Sequence, residues 1–366
     1  MASMKGYPSP AAGALAALRA NAPLWKRFVR EDEYDAEIRD VYQRPHSHLS
    51  AHGPILEPSV SQFLLKNGLS PKWPKDAPFA VLLTHDIDVL FVPGTEVAVR
   101  AARALRKGKP RELAGSLRAL RKARNPKSNP LWNFGEVMDR ETAMGARSTF
   151  FFKALSSGQE DFNYTMEQVA PALKEIASRG FEIGLHGGHE AWRDEAALRR
   201  EKMMLEKAID RPATGYRNHY LRFQVPETWR SLVAAGVEWD STYGDPYSVG
   251  FRNGMAHPFK PYDARASKFL DILEIPLTVM DGTLESYLRL GPEAGWSLTR
   301  KMLDTVENVS GVATLLWHNT HLTGPWAEVY WKAVDHARSR GAWMPTGSEL
   351  ARWWKAQRLD AWQSGD

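Results

Sequence analysis

The 366-residue chain contains no cysteine. Disulfide bonds, thiolate zinc sites and a cysteine nucleophile are therefore excluded. Any bound metal ion has to be held by histidine and carboxylate side chains, a donor set that suits a catalytic zinc or a comparable divalent ion.

Long apolar runs are also absent, since no stretch approaches the ~18 apolar residues of a membrane-spanning helix. The run at 11–18 is short, consists mostly of small residues and is followed by Arg19, so we interpret it as the start of a helix and not as a secretory signal. An apolar fraction of 43% and 14 tryptophans suffice for a large core and argue against disorder. We therefore predict a folded cytoplasmic protein.

Acidic residues are nearly missing from one segment. Between Arg100 and Lys127 there are eleven lysines or arginines and one acid, Glu112, although the net charge of the whole chain is only +5. Two interpretations remain open: a solvated helical hairpin, or a basic surface that meets anionic lipid, an acidic glycan or a phosphorylated carrier. Nucleic acid is not expected as a partner, because no aromatic residues alternate with these cations.

Short apolar runs alternate with helix-like stretches through most of the chain. The runs predict strands at about 79–86, 147–153, 181–186, 213–218, 237–241, 272–280 and 312–317. Helices are predicted at about 15–42, 131–144, 165–179, 195–209, 226–235, 296–309 and 326–339. This order is typical of an α/β fold, here a distorted (β/α) barrel of about seven parallel strands.

The same pattern divides the chain into segments. Residues 1–75 form an N-terminal helical and irregular extension, residues 76–350 the barrel, and residues 351–366 a C-terminal tail. The basic helical insertion at 95–127 interrupts the barrel after its first strand.

Acidic and histidine side chains recur where these strands end. They are Asp86 and Asp88, His186 and His189, His219, and His318. In a parallel barrel the active site lies at the carboxyl ends of the strands, so these side chains are expected to converge. One aspartate could hold a metal ion while the other takes a proton from the attacking water, although an aspartate in this position could also cap the next segment. The pattern predicts a metal-dependent hydrolase.

The order of these motifs resembles the polysaccharide deacetylases of carbohydrate esterase family four over about 76–345. The counterparts of the five family motifs are Thr84–Asp88, His186–His189, Arg217–Tyr220, Trp239–Asp240 and Leu315–His318. The similarity is most specific to a divergent bacterial branch that carries Thr-His-Asp-x-Asp, Gly-Leu-His-Gly and Arg-x-His-Tyr-Leu-Arg-Phe segments, the last of which is 217–223 here. Two features depart from the common pattern: Ile87 separates the aspartates, and the two histidines are three and not four residues apart.

The resemblance implies roles for individual residues. Asp86 aligns with the general base, and Asp88, His186 and His219 are the expected metal ligands, with His189 as the substitute for His219. Arg217 would orient the catalytic carboxylate or hold the oxyanion, and His318 would protonate the leaving amine. The remaining expectations concern the substrate side of the site. Asp240 and Asp281 are expected to tune the imidazole of His318, to contact substrate or to cap a helix. The aromatic residues expected to line the mouth are Tyr220, Trp317 and Phe223.

The function implied is metal-dependent hydrolysis of a carbon–nitrogen bond, with removal of an N-acetyl group from an amino-sugar glycan or a carrier-linked sugar. The expected cofactor is one divalent ion; zinc is favoured, and nickel, cobalt and manganese are alternatives. A small or cyclic amide is the alternative substrate on the same site, and a non-catalytic glycan-binding protein is the alternative of another class. If the basic insertion meets anionic lipid, it would place the cytoplasmic protein at the inner membrane face; as a solvated hairpin it would not.

Overall fold

The core of the protein is a curved sheet of eight parallel strands. The computed structural model describes residues 12–46, 55–91, 102–109, 114, 129–155 and 160–363. The strands of the sheet are β1 (Ala80–Ile87), β2 (Thr149–Phe152), β3 (Glu182–Gly187), β4 (Gly215–Asn218), β5 (Trp239–Asp240), β8 (Leu273–Glu274), β9 (Val279–Met280) and β10 (Val312–Leu316). A separate antiparallel pair, β6 (Tyr262–Asp263) and β7 (Lys268–Phe269), lies between β5 and β8 in the chain.

The strands follow one another around the sheet in the order β8-β5-β4-β3-β2-β1-β10-β9. Every neighbouring pair is parallel. Because helices cover the outside of such a barrel, its strands are buried on both faces, and all eight residues of β1 are buried. The predicted α/β barrel is confirmed.

The number of strands differs from the prediction because the run at 272–280 is two strands, β8 and β9. Pro276, which has no N–H to donate, separates them. On one side of the proline Ile275 N donates to Asp240 O (2.8 Å), and on the other Thr278 N donates to Thr314 O (3.1 Å). This segment therefore crosses from the β5 edge to the β10 edge, where the barrel is open between β8 and β9.

Helices connect the strands and pack outside them. They are α1 (Ala12–Ala20), α2 (Ala22–Val29), α3 (Ser59–Lys66), α4 (Phe134–Ala143), α5 (Met166–Ser178), α6 (Glu195–Ile209), α7 (Glu227–Ala234), α8 (Pro292–Glu307), α9 (Pro325–Ser339) and α10 (Gly347–Ala356). The ends of α4 to α9 lie within four residues of the predicted ends. α5 and α10 both begin with a capping box, at Thr165 and Thr346.

The N-terminal extension docks on the barrel through buried ion pairs. The single helix predicted at 15–42 is wrong: α1 and α2 are separate, and α2 ends where Arg30 adopts a left-handed conformation with φ 55°. Arg30 and Arg252 both pair with the buried carboxylate of Glu33, at 2.8 and 2.7 Å. Separating these charges would leave a buried charge without a partner, which is strongly destabilising. The ion pairs therefore hold the extension in one position relative to the barrel.

The segments next to the barrel are described in part. Residues 102–106 of the predicted basic insertion are helical, and Arg103, Arg106, Lys107 and Lys109 are exposed; apart from 102–109 and 114, the insertion lies outside the described residues. In the C-terminal segment Trp362 is fully buried against Phe28, with ring centroids 5.7 Å apart. Within the described ranges, none of the helices combines the length and hydropathy that crossing a membrane requires.

The buried His257 should make stability depend on pH. Its Nδ1 lies 2.8 Å from the Ser61 hydroxyl, and burial lowers the pKa of His257 from 6.5 to about 4. Between pH 6.5 and 4 the unfolded chain therefore binds a proton at His257 that the folded chain does not bind. The contribution of neutral His257 to the free energy of unfolding is complete above pH 6.5 and is lost as the pH falls toward 4. The loss from this residue is at most about 3 kcal/mol.

Urea unfolding of the wild type and His257→Asn at several pH values measures this contribution. The wild type should lose free energy of unfolding relative to the variant between pH 6.5 and 4. His336→Asn, at a histidine paired with Asp304 on the surface, is the control and should not reproduce this trend. A difference between wild type and His257→Asn that is independent of pH would contradict the prediction.

Candidate active site

The two aspartates after the first strand face the inside of the barrel. Side chains alternate along β1, so Thr84, Asp86 and Asp88 point to one face and His85 to the other. His85 is fully buried on that opposite face, where its Nε2 lies 2.9 Å from the carboxylate of Glu141 on α4. The alternation thus separates a structural histidine from two carboxylates at the mouth of the barrel.

Asp88, His186 and His219 bring three potential ligand atoms together. Asp88 Oδ1 lies 3.1 Å from His186 Nε2 and 3.3 Å from His219 Nδ1, and the two nitrogens are 3.1 Å apart. Bonds of about 2.0–2.2 Å to one tetrahedral zinc ion would separate its ligand atoms by about 3.3–3.6 Å, so small shifts of these side chains would suffice to bind one. These three side chains form a group that could hold a metal ion.

The hydrogen bonds around the group direct it toward such an ion. His186 Nδ1 lies 3.1 Å from Arg217 O, and His219 Nε2 lies 3.0 Å from the Asp161 carboxylate, so in each ring the other nitrogen faces Asp88. Burial lowers the pKa of His219 to about 4, which keeps the ring neutral. Asp88 Oδ1 is buried without a hydrogen-bond partner among the described residues. The residues present therefore fit one divalent ion.

His189 lies one layer outside this group. Its side chain is 31% exposed, its ring stacks on His219 at 5.4 Å, and its Nε2 lies 3.3 Å from Asp161 Oδ1. Two glycines, Gly187 and Gly188, separate it from His186. The structure therefore places His219, and not His189, beside Asp88 and His186.

Asp86 and Arg217 form a buried pair next to the group. Asp86 Oδ1 lies 3.7 Å from an Arg217 guanidinium nitrogen, and Asp86 Oδ2 lies 3.8 Å from His186 Nε2. Arg217 is fully buried and donates to Ser241 Oγ at 3.1 Å. Asp86 Oδ1 has no hydrogen-bond partner among the described residues, which leaves it free to accept a proton.

His318 lies next to Asp88 and is held by Asp281. Its Nδ1 lies 2.7 Å from Asp281 Oδ1, and its backbone N donates to Asp281 Oδ2 at 2.7 Å. Its Nε2 lies 3.4 Å from Asp88 Oδ2. Burial opposes a charged ring here, but the Asp281 carboxylate outweighs it and raises the pKa of His318 to about 10. Asp281 also accepts from His321 Nδ1 at 2.8 Å.

A cavity of about 290 Å³ opens in front of these groups. Its walls combine acidic, imidazole, phenol and apolar side chains: Tyr42, Arg44, Asp86, Asp88, His219, Tyr220, Leu221, Met280, Gly282, Ser286, Tyr287, Leu316 and His318. Tyr220 and Leu221 have φ of 58° and 54°, a left-handed conformation that costs energy in residues other than glycine. This turn brings the Tyr220 ring to the cavity directly after His219.

Three of the side chains expected on the substrate side of the site do not line the cavity. Trp317 is fully buried and donates to Trp326 O at 3.2 Å, because it alternates with Leu316 and His318 and so faces α9. Phe223 packs on Trp229, with ring centroids 4.8 Å apart.

Asp240, the third, is fully buried and does not line the cavity. Its Oδ1 accepts from the Thr242 hydroxyl at 2.6 Å. Burial raises the pKa of Asp240 and of the neighbouring Glu274, with which it shares a hydrogen bond. Its negative charge lies near Arg217, so it contributes to the electrostatics of the interior and makes no contact with the cavity.

The structure also brings in residues that the sequence analysis missed. Lys153 follows the apolar strand β2 and is fully buried, with its Nζ 3.7 Å from Asp88 and 3.1 Å from Asp161. Its position at a strand end is the same signal that identified the aspartates, so it could have been found. Asp161 lies in a loop, and Tyr42 and Arg44 belong to the N-terminal extension, where no periodic pattern marks them.

Comparisons with known proteins agree with this fold. No family model matches the chain, and no curated protein is similar to it in sequence. Among solved structures, a Mycobacterium smegmatis protein classed as a polysaccharide deacetylase matches with a TM-score of 0.53 and 18% identity, over 79% of this chain and 94% of its own. The Puue allantoinase matches with a TM-score of 0.55 and 14% identity, over 79% and 95%.

A third match is a Pseudomonas aeruginosa PAO1 protein, also classed as a polysaccharide deacetylase. Its TM-score is 0.54 at 15% identity, over 79% of this chain and 96% of its own. The predicted resemblance is therefore confirmed at the level of the fold: the chain has the barrel of the polysaccharide deacetylases.

Proposed function

We propose that the protein is a metal-dependent hydrolase of carbon–nitrogen bonds that removes the N-acetyl group from an amino sugar. One observation carries this proposal: Asp88 Oδ1, His186 Nε2 and His219 Nδ1 lie 3.1–3.3 Å apart, with the Asp88 oxygen buried and lacking a hydrogen bond from the described residues. The three side chains would hold one divalent ion. Its identity is proposed to be zinc, since two imidazoles and a carboxylate are common ligands of catalytic zinc.

When bound, the ion would lower the pKa of a water molecule and polarise the acetyl oxygen. The protein's own residues would move the protons. Asp86, held by Arg217, accepts a proton from the attacking water as its oxygen bonds to the acetyl carbon. The carbon–nitrogen bond then breaks, and His318 donates the proton on its Nε2 to the departing nitrogen, which leaves as an amine while acetate remains. A backbone amide in the turn at Tyr220 would hold the developing oxyanion.

The high pKa of His318 suits the role of the acid. Its Nδ1–H is donated to Asp281, so the proton that can leave is the one on Nε2, which faces Asp88. Asp281 stabilises the charged ring before the reaction and would hold the neutral ring in the same orientation afterwards. Asp86 Oδ2 lies 3.8 Å from His186 Nε2 and His318 Nε2 lies 3.4 Å from Asp88 Oδ2, so a base and an acid both border the proposed metal site.

Hydrolysis of a small or cyclic amide on the same site is the second candidate. The size of the cavity, about 290 Å³, favours it, since this is at the lower end of the range of about 300–1,000 Å³ for small-molecule sites. Acetate released from a panel of N-acetylated sugars would support deacetylation, whereas activity on cyclic amides alone would support the second candidate.

The first prediction from this proposal concerns the metal ligands. Asp88→Ala and His219→Ala should lose the ion and the activity, because each removes one of three ligand atoms. His189→Ala is the matched control: its ring stacks on His219 without reaching Asp88, so this variant should retain the ion. Metal content measured by mass spectrometry after gel filtration distinguishes them, and a fully loaded Asp88→Ala protein would remove Asp88 from the ligand set.

The second prediction concerns the base. Asp86→Asn should retain the ion and lose turnover by about 10²–10⁴-fold, the usual contribution of a general base. The amide keeps the shape of the side chain, so loss of turnover without loss of metal would indicate lost proton transfer. Steady-state rates and metal content measured on the same preparation test this, and an unchanged rate would show that the base is another group.

A further inference from the structure

We propose that the segment Asp40–Arg44 of the N-terminal extension makes the site specific for a single N-acetylated amino sugar, either free or at the end of a glycan, and excludes the interior of a glycan chain. This inference rests on the proposed function. It starts from the observation that the cavity wall includes Tyr42 and Arg44, which come from outside the barrel.

Arg44 connects two loops across the mouth of the barrel. One guanidinium nitrogen donates to Tyr220 O after β4 at 2.8 Å, and the other donates to the Tyr287 hydroxyl after β9 at 2.9 Å. The sheet ends at β8 on one side and at β9 on the other, so the way from β4 to β9 through the open edge of the barrel passes β5, β8 and the gap between β8 and β9. The side chain of Arg44 therefore closes the side of the mouth above β5 and β8.

Tyr42 covers the neighbouring wall. Its ring stacks on that of Tyr220, with centroids 4.1 Å apart and planes at 22°, and the Arg44 guanidinium lies 4.9 Å from the Tyr42 ring. The Tyr220 ring contacts His219 in turn, at 4.0 Å. Aromatic faces of this kind suit a sugar ring, and here they continue from the extension to the proposed metal ligands.

The segment is fixed to the barrel, because its charged groups have partners. Asp40 lies 2.6 Å from the Arg44 guanidinium and accepts from the Tyr247 hydroxyl at 2.7 Å. Arg44 is only 2% exposed, so removing it would require the loss of several buried hydrogen bonds. Because such a wall cannot move aside, a substrate that extends past it would clash with it sterically and would be excluded.

The size and shape of the cavity then limit the substrate. A unit inside a linear glycan needs space for both of its neighbours, and therefore two open sides of the mouth. With Arg44 closing one side, the cavity of about 290 Å³ has room for the reacting unit and a connection on one side. A monosaccharide or the terminal unit of a chain meets this requirement.

The experiment compares an N-acetylglucosamine monosaccharide with a linear tetramer of the same sugar, using the metal-loaded full chain. Acetate release gives kcat/KM, and mass spectrometry of fragments locates each deacetylated unit. The wild type should act on the monosaccharide and should remove one acetyl group from the tetramer, at an end. Deacetylation of interior units by the wild type would overturn the inference while leaving the proposed function intact.

Two variants open the wall. Tyr42→Ala removes the stacked ring, and Asp40→Asn combined with Arg44→Met removes the bridge without leaving an unpaired buried charge. Each should lower kcat/KM for the monosaccharide on the order of 10-fold, equivalent to one lost aromatic or polar contact, and should allow interior units to react. Lys26→Ala is the control, because Lys26 is an exposed residue of the same extension, on α2 and outside the segment 40–44.

The outcomes are distinct. If the variants fold and their product pattern matches that of the wild type, the segment does not set specificity and the inference is wrong. If a variant fails to fold, the location of the product in the wild-type reaction still decides. If no acetylated sugar is a substrate of the wild type, the proposed function fails, and this inference fails with it.

Discussion

Asp88 is a partly buried carboxylate whose buried Oδ1 faces two imidazole nitrogens at 3.1 and 3.3 Å and has no hydrogen-bond partner among the described residues. An ionised carboxylate in such a place is costly unless positive charge compensates it. Lys153 supplies part of that charge at 3.7 Å, and a divalent ion would supply the rest. The parallel strands make the arrangement rigid, since each functional group follows a strand end that the sheet holds in register.

The sequence could predict those parts of the site that depend on strand ends. Asp86, Asp88, His186 and His318 each follow a short apolar run, and the carboxyl ends of parallel strands meet at one edge. The sequence analysis placed Trp317 at the mouth, but side chains alternate here. Its neighbours Leu316 and His318 face the cavity, so the side chain of Trp317 faces the helices. Arg44 and Asp161 could not be predicted, because they lie in irregular segments whose position depends on contacts made only in the folded chain.

The barrel itself was predicted with one error, which has a local cause. The run at 272–280 is apolar enough to be one strand, but Pro276 interrupts its hydrogen bonding, and the two halves join different neighbours. The N-terminal extension has no strand pattern and carries no catalytic signal in sequence. In the structure the extension is held to the barrel through Glu33 and contributes part of the cavity wall. The candidate site therefore includes residues from both the extension and the barrel.

His219 connects the proposed metal site to the wall of the cavity through a series of contacts. One ring nitrogen faces Asp88, the other lies 3.0 Å from Asp161, and Asp161 accepts from the hydroxyl of Tyr220, whose ring stacks on Tyr42. An ion that fixes His219 would therefore also fix the wall against which the proposed sugar substrate would rest. By thermodynamic linkage the effect is reciprocal. If the bound ion increases the affinity for substrate by a certain factor, bound substrate increases the affinity for the ion by the same factor. Retention of the ion at low free-metal concentration would then depend on whether substrate is present.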